Sequence, residues 1–394
     1  MRSLLVVDDS GVVRMMVRRW LLEACRDLEV VEASGGRAAL ELLEQRTVDL
    51  ILLDVEMPDL DGLSVVRTLR VRGVRTPVVM FSTLTSRGTD VAVAALLAGA
   101  SDVIAKPQAS NQGAGRQALV ERVCSLLAAE EELIVAAATQ GVPASARVVE
   151  PATPRVGAGA PRIAHRVPWQ APAMRTSPTP RRQEVPTHRA APPLTVLRPR
   201  RPQAPGLVVV ASSTGGPQAL ASFLAGLGRV AVPTVCVQHM PASFLPLLAA
   251  RLAEQLGSDV ALAEDGEVAR AGTVRLAAGG RHLIVTADRP DGSLRLGYVD
   301  QPPENSCRPS ADVLFRSAAA TGVRAMAVVL TGMGADGAKG AAAVAEAGGV
   351  VAIQDAASAV VWGMPGAVDA LGVASVVAPP AELGDRVRRL VGMP

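Results

Sequence analysis

Apolar residues along this chain gather in short runs that end on polar ones. Leu4–Val7 leads into Asp8-Asp9, Leu50–Leu53 into Asp54, Val78–Phe81 into Ser82, and Val103–Ala105 into Lys106-Pro107. Stretches with helical spacing lie between them, as through Trp20-Leu21-Leu22. Continuous apolar runs of this length predict strands buried on both faces, and the intervening helical stretches predict βαβ units around a parallel sheet. The pattern fades after residue 127 and returns at residue 206. Leu207–Ala211, Thr234–Gln238, Ala325–Leu330 and Val350–Ile353 are then the strand candidates, with Gly- and Ala-rich helical segments between several of them. The pattern thus divides the chain into an α/β domain over 1–127, a linker over 128–205 and a second α/β domain over 206–394.

Composition sharpens the linker. Fourteen of the 29 prolines and eleven arginines fall within 141–205, against two acids, Glu150 and Glu184. This predicts an extended, disordered spacer. The segment carries about +9 of a net charge of +3, so the rest is acidic by about −6. The basicity belongs to one stretch, and a nucleic-acid-binding fold is not indicated. Aromatic residues make up only 2%, which leaves the packing to Val, Ala and Leu. The four cysteines, Cys25, Cys124, Cys236 and Cys307, are scattered without a CxxC pair. Buried or idle thiols are expected rather than a zinc site or disulfide framework. No signal-peptide pattern opens the chain and no apolar run reaches 18 residues, so a cytoplasmic protein without membrane insertion is expected.

The polar residues stand just beyond strand C-termini, where ligands bind in such sheets. In the first domain Asp8, Asp9 and Asp54 would repel one another unless a cation neutralised them. Hard oxygen ligands suit Mg²⁺, Lys106 can pair a phosphoryl oxygen, and a hydroxyl such as that of Ser82 can bond another. The set suits phosphoryl transfer onto a carboxylate.

In the second domain a strand runs into Ser212-Ser213-Thr214-Gly215-Gly216-Pro217, placing a serine close to a helix N-terminus. A serine nucleophile needs a base. Of four histidines, His165 and His188 lie in the linker; His239, directly after a strand, is favoured over His282, which precedes one. Asp336, in Leu330-Thr-Gly332-Met333-Gly334-Ala-Asp336-Gly337, can orient the imidazole, and the backbone N–H of Met333 is a candidate oxyanion donor. The same turn matches GxGxxG, with Asp355 about 20 residues on, which is a dinucleotide-binding fingerprint. Asp336 opposes that reading, since a carboxylate at the helix N-terminus repels a pyrophosphate. A P-loop fails because Ala338 separates Gly337 from Lys339.

With these motifs in view, residues 1–127 resemble a two-component receiver domain, through Val-Asp8-Asp9-Ser, Leu-Leu-Asp54-Val-Glu56-Met-Pro58-Asp-Leu-Asp61-Gly62, Met80-Phe-Ser82 and Ala105-Lys106-Pro107. Residues 206–394 resemble the catalytic domain of chemotaxis protein-glutamate methylesterases. The carrying motifs are Ala-Ser-Ser213-Thr-Gly-Gly, Gln-His239-Met-Pro, Arg308-Pro-Ser-Ala-Asp312-Val-Leu-Phe, the Asp336 turn and Trp-Gly363-Met364-Pro-Gly366. The resemblance implies a flavodoxin-like doubly wound sheet followed by a Rossmann-like α/β domain. It implies Asp54 as phosphoacceptor, served by a histidine kinase. It also implies Mg²⁺ held by Asp8, Asp9, Asp54 and the backbone carbonyl of Glu56, with Ser82 as switch hydroxyl. It implies a Ser213–His239–Asp336 triad that hydrolyses glutamyl methyl esters on methyl-accepting chemotaxis receptors, in some members with receptor glutamine deamidation, and needs no cofactor for that step. Two departures stand out: Val103 occupies the usual aromatic switch position, and Ser212 stands where Ala is common. In the family the receiver covers the active site until phosphorylated; a linker this long predicts looser docking and higher basal activity. A non-enzymatic receiver adaptor is the alternative, Asp312 is expected to cap or brace rather than catalyse, and His282 is expected near the rim or in a structural hydrogen bond.

Overall fold

A computed structural model describes residues 2–25, 27–83, 85–107, 112–139, 204–229, 231–287 and 293–392. Most of the expected linker, with His165 and His188, therefore lies outside the described residues. In the N-terminal domain, strands β1 (Arg2–Val7), β2 (Leu28–Ala33), β3 (Leu50–Asp54), β4 (Val78–Ser82) and β5 (Asp102–Ala105) alternate with helices α1 (Gly11–Ala24), α2 (Gly36–Gln45), α3 (Gly62–Val71), α4 (Ser86–Leu97) and α5 (Gln112–Thr139). The strands form one parallel sheet in the order β2-β1-β3-β4-β5. β3 and β4 are buried along their whole length, which is why their sequences are apolar without alternation. Two caps start helices cleanly. Ser10 Oγ accepts from Val13 N–H, and Asp61 Oδ1 accepts from Ser64 N–H at 2.7 Å.

In the C-terminal domain the strands are β6 (Leu207–Ser212), β7 (Thr234–Gln238), β8 (Val260–Leu262), β9 (Val274–Leu276), β10 (His282–Ala287), β11 (Leu294–Val299), β12 (Ala325–Val329), β13 (Val350–Gln354) and β14 (Val376–Ala378). The helices are α6 (Gly216–Leu227), α7 (Leu245–Leu256), α8 (Ala311–Ala320), α9 (Ala338–Glu346), α10 (Gly363–Asp369) and α11 (Pro380–Val391). A seven-stranded parallel sheet runs β14-β13-β12-β6-β7-β9-β8, and β10–β11 is a separate antiparallel hairpin. The chain steps from β6 outward to β7 on one side and returns to β12 on the other. The crevice at the C-terminal end of β6 is thus a topological switch point, where open α/β sheets bind ligands.

The eight strand candidates all form, as does the strand expected at His282, which is β10 and includes the histidine itself; β2, β8, β9, β11 and β14 were not foreseen. Two expectations need correction. Cys25 and Cys124 are not idle thiols: they form a disulfide joining α1 to α5 across 99 residues of sequence. The two ends meet because α1 and α5 pack side by side in the folded domain, which spacing in sequence does not reveal. Second, α5 runs on to Thr139, past residue 127. Among the described residues no helix is long and apolar enough to cross a membrane.

Glycine sets the closest helix contact. A β-carbon at Gly384 of α11 would collide with the carbonyl oxygen of Phe223 on α6, and one at Gly226 with that of Ala381. An exposed helical Gly→Ala change ordinarily stabilises by about 0.5–1 kcal/mol. Gly384→Ala is expected to destabilise instead, by about 1–3 kcal/mol. Denaturant unfolding reads the sign, and a gain in stability would contradict the close α6–α11 packing.

Candidate functional site

Three adjacent strands deliver the site. Ser213 follows β6, His239 follows β7 and Asp336 lies in the turn after β12, and these strands are neighbours in the sheet. Gly215 holds φ +74° in the turn after Ser213, and a β-carbon there would meet Val360 at 2.6 Å. The turn can therefore be tight only with glycine. Gly332 permits a second close approach, since a β-carbon on it would stand 2.8 Å from Ser213 Cβ. Met333 follows, and its N–H has no hydrogen-bond partner among the described residues. A donor left free beside a serine is what an oxyanion hole requires.

His239 Nε2 stands 3.0 Å from Asp336 Oδ2, off the line of a straight N–H···O bond. The other ring nitrogen, Nδ1, is 3.8 Å from Cys307 Sγ. Among the described residues the Ser213 hydroxyl makes no hydrogen bond to His239. Burial disfavours the charged imidazole, but pairing with Asp336, helped by Cys307, outweighs it and raises the His239 pKa to about 9. Asp336 is buried too, yet its partners hold its carboxyl well below the usual carboxylate range. Besides His239 they are Ser310 Oγ (2.6 Å), Ala311 N–H (2.7 Å), Asn305 Nδ2 (2.9 Å) and Asp312 N–H (3.1 Å). Two of these donors are the first N–H groups of α8, where a helix favours negative charge.

Asp312 itself accepts from Gly340 N–H of α9 at 2.6 Å and from Asn305 Nδ2 at 2.8 Å, a bracing role. His282 is fully buried with both ring nitrogens engaged, Nδ1 accepting from Ser310 N–H and Nε2 against Pro302 O, each at 3.0 Å. Asp355 accepts from Ser358 and shapes the turn after β13. Sequence reasoning missed Asn305, Ser310 and Gln238. Ser212 Oγ donates to Gln238 Oε1 at 2.6 Å, which fixes the amide so that Nε2 donates to the carbonyls of Ser213 (2.9 Å) and His239 (3.0 Å). Ser212 and Gln238 face each other in the β6–β7 register, so this lock follows from strand pairing.

In the N-terminal domain Asp8 and Asp54 are buried and Asp9 is exposed, with carboxylate oxygens within 4.8 Å of one another. Lys106 Nζ lies 2.8 Å from both Asp8 Oδ2 and Asp54 Oδ2. Burial raises the Asp54 pKa against the opposing pull of Lys106. Burial would lower that of Lys106, but the two carboxylates outweigh it and raise it. Ser82 Oγ donates to Thr83 O at 2.9 Å, and Lys106 also stands 5.5 Å from the Phe81 ring centre. Three clustered carboxylates with one lysine fit a hard divalent cation.

The described parts of both domains belong to one compact unit. The buried Asp102 of β5 accepts from Thr214 Oγ1 (2.8 Å), next to Ser213, and pairs with Arg122 of α5 (2.6 Å). Gly215 N–H donates to Ser101 O, Arg122 Nη1 reaches Met333 Sδ at 3.9 Å, and Arg251 pairs with Asp90 at 2.8 Å. Against the looser docking expected from the long linker, these contacts are specific and fall on both turns that frame Ser213.

Two family models match this chain: CheB methylesterase over residues 208–387 and response regulator receiver domain over residues 4–118. A protein-glutamate methylesterase/protein-glutamine glutaminase of Nocardioides sp. is 43% identical over 98% of this chain and 94% of its own length. One from Paramagnetospirillum magneticum is 39% identical over 98% of this chain and 95% of its own. The crystal structure of the Thermotoga maritima CheB methylesterase catalytic domain aligns with 37% identity over 48% of this chain and all of its own, at a TM-score of 0.46.

The raised His239 pKa has a stability consequence. A pKa raised in the folded state means the contribution is complete below the unfolded value, about 6.5, and is lost as pH rises through about 9. The stability gap between wild type and Asp336→Asn is therefore expected to narrow between about pH 7 and pH 10. Denaturant unfolding at both pH values checks this; a gap that stays constant would contradict the ion pair.

Proposed function

We propose a function on one premise: this chain belongs to the CheB methylesterase family. It hydrolyses glutamyl methyl esters of methyl-accepting chemotaxis receptors, under control of phosphorylation at Asp54 by a histidine kinase. The observation that carries the esterase reading is the His239–Asp336 pair seated beside Ser213 at three adjacent strand ends.

Ser213 Oγ attacks the side-chain carbonyl of the ester and gives its proton to His239. Because Nε2 faces Asp336, Nδ1 is the nitrogen that turns to Ser213. The oxyanion meets the N–H of Met333, which has no hydrogen-bond partner among the described residues. His239 then protonates the leaving methoxide, methanol departs and a glutamyl-serine ester remains. Water, deprotonated by His239, resolves that ester to free glutamate and Ser213. Asp336 stays ionised throughout, since its five donors all stabilise the carboxylate. Against burial, pairing with Asp336 raises the His239 pKa, so the imidazolium formed when Ser213 gives up its proton is stabilised.

Asp8, Asp9, Asp54 and the carbonyl of Glu56 would hold Mg²⁺, which when bound offsets charge during phosphoryl transfer. Lys106 keeps Asp54 ionised and placed for that reaction, and Ser82 is one strand away to meet a phosphoryl oxygen. Asp102 lies on the same four-residue strand that leads to Lys106. A shift of β5 on phosphorylation therefore acts directly on Thr214 and the Ser213 turn, a two-state coupling of the usual kind.

Methanol release from methylated receptor cytoplasmic fragments tests the assignment. Ser213→Ala is expected to lower it by at least about 10⁴-fold. Asp54→Ala is expected to keep basal release but lose stimulation by a small-molecule phosphodonor with Mg²⁺. No release by wild type despite Asp54 phosphorylation would favour an adaptor role instead. Asp102→Ala, which frees Thr214 and Arg122, is expected to raise unphosphorylated activity at least about fivefold; unchanged basal release would show that Asp102 does not restrain the site.

A further inference from the structure

Ser212 and Gln238 take no part in the steps above, yet each is almost wholly buried directly before a triad residue. They are the last facing pair of the β6–β7 ladder, and a main-chain bond from His239 N–H to Ser212 O, 2.9 Å, closes it. Ser213 and His239 therefore stand one residue past the ladder, where strand pairing no longer fixes their separation. The Gln238 side chain spans that gap: Nε2 donates to Ser213 O at 2.9 Å and to His239 O at 3.0 Å. Carbonyls only accept, so the amide nitrogen has to face them and Oε1 has to face Ser212, whose hydroxyl donates to it at 2.6 Å. Gly216 leaves the room for this, since a β-carbon there would stand 2.2 Å from Gln238 Oε1. Among the described residues Ser213 O has a second donor in Gly216 N–H, whereas His239 O has Gln238 alone.

We infer that Gln238, oriented by Ser212, is a positioning residue for ester hydrolysis: its amide is an extra rung that ties the main chain of the base to that of the nucleophile. The inference rests on the methylesterase reading above. With the two main chains tied, the side-chain torsions of Ser213 and His239 are the freedom that brings Oγ to Nδ1. Without the rung the His239 carbonyl loses its donor, and the chain after β7 shifts to find another. Proton transfer depends steeply on placement, and a displacement of about 1 Å can cost about 10²-fold in rate. Gln238 is too deeply buried to meet a receptor, so its loss acts on the rate and not on binding. Ser212 stands where Ala is common in the family, so the hydroxyl that orients the amide is this chain's own addition.

Methanol release by the full-length chain, resolved into kcat and KM, tests this. Gln238→Met keeps the length of the side chain and removes both N–H donors. Its kcat is expected to fall about 10- to 100-fold, with KM within about twofold of wild type. Ser212→Ala leaves Gln238 in place without its orienting donor and is expected to lower kcat about three- to tenfold. Ser212→Thr, which keeps a hydroxyl, is expected to retain most of the wild-type kcat. Each variant is read well below its own unfolding midpoint, so that loss of folded protein does not enter. Release by wild type with an unchanged kcat in Gln238→Met would overturn the inference and leave the esterase reading standing. A loss confined to KM would overturn it as well, and equal kcat values for Ser212→Ala and Ser212→Thr would overturn the orienting role of Ser212. No release by wild type would bring down the esterase reading and the inference with it.

Discussion

The catalytic domain is organised around one buried negative charge. An ionised carboxylate removed from water is tolerated only when its lone pairs are filled. Asp336 meets that condition with partners from three separate places: the N-terminus of α8, the Asn305 turn and the His239 imidazole. Satisfying the charge therefore fixes where α8 begins, where the turn before it folds and which way the imidazole faces. Asp312 repeats the device one layer further out by bracing α9. A substitution at Asp336 disturbs all of these elements at once, so its effect on rate cannot be separated from its effect on the frame without an isosteric change.

The N-terminal domain solves a similar problem in a different way. Asp8 and Asp54 share one lysine rather than a shell of neutral donors. Fixed N–H groups stabilise a charge permanently, whereas a flexible ammonium can be displaced from one carboxylate when a phosphoryl group or cation arrives. The permanent solution sits in the C-terminal domain and the exchangeable one in the N-terminal domain. Asp102, also buried, bridges the two domains through Thr214 and Arg122.

Much of this was legible because parallel strands buried on both faces are unbroken apolar runs, and the residue that ends each run marks the rim of the sheet. That rule singles out Asp8, Asp54, Ser82, Lys106, Ser213 and His239, and the glycine-rich turn singles out Asp336; the structure gathers them at the C-terminal rims of the two sheets. Shorter elements escaped it. β8, β9 and β14 have three residues each, too few for any period, and β2 carries interleaved glutamates as an edge strand. Asn305 and Ser310 escaped for another reason: their contact with Asp336 spans 31 and 26 residues and exists only once β12 and α8 are packed. The turn that holds Asn305 and Ser306 at positive φ has no glycine at those positions to announce it. The Cys25–Cys124 bond was unreadable in the same sense, since only the meeting of α1 with α5 brings the sulfurs together.

That bond also decides how the receiver carries mechanical load. Tension between the two chain ends enters at β1, runs along α1 to Cys25, crosses the sulfur–sulfur bond to Cys124 and leaves through α5 toward the linker. Residues 26–123 hang from that path as a closed loop and bear none of the force. Asp54, Ser82 and Lys106 all lie inside the loop. With the bond closed, these three residues stay out of the line of pull, whereas Asp8 and Asp9, which precede Cys25, stand on it.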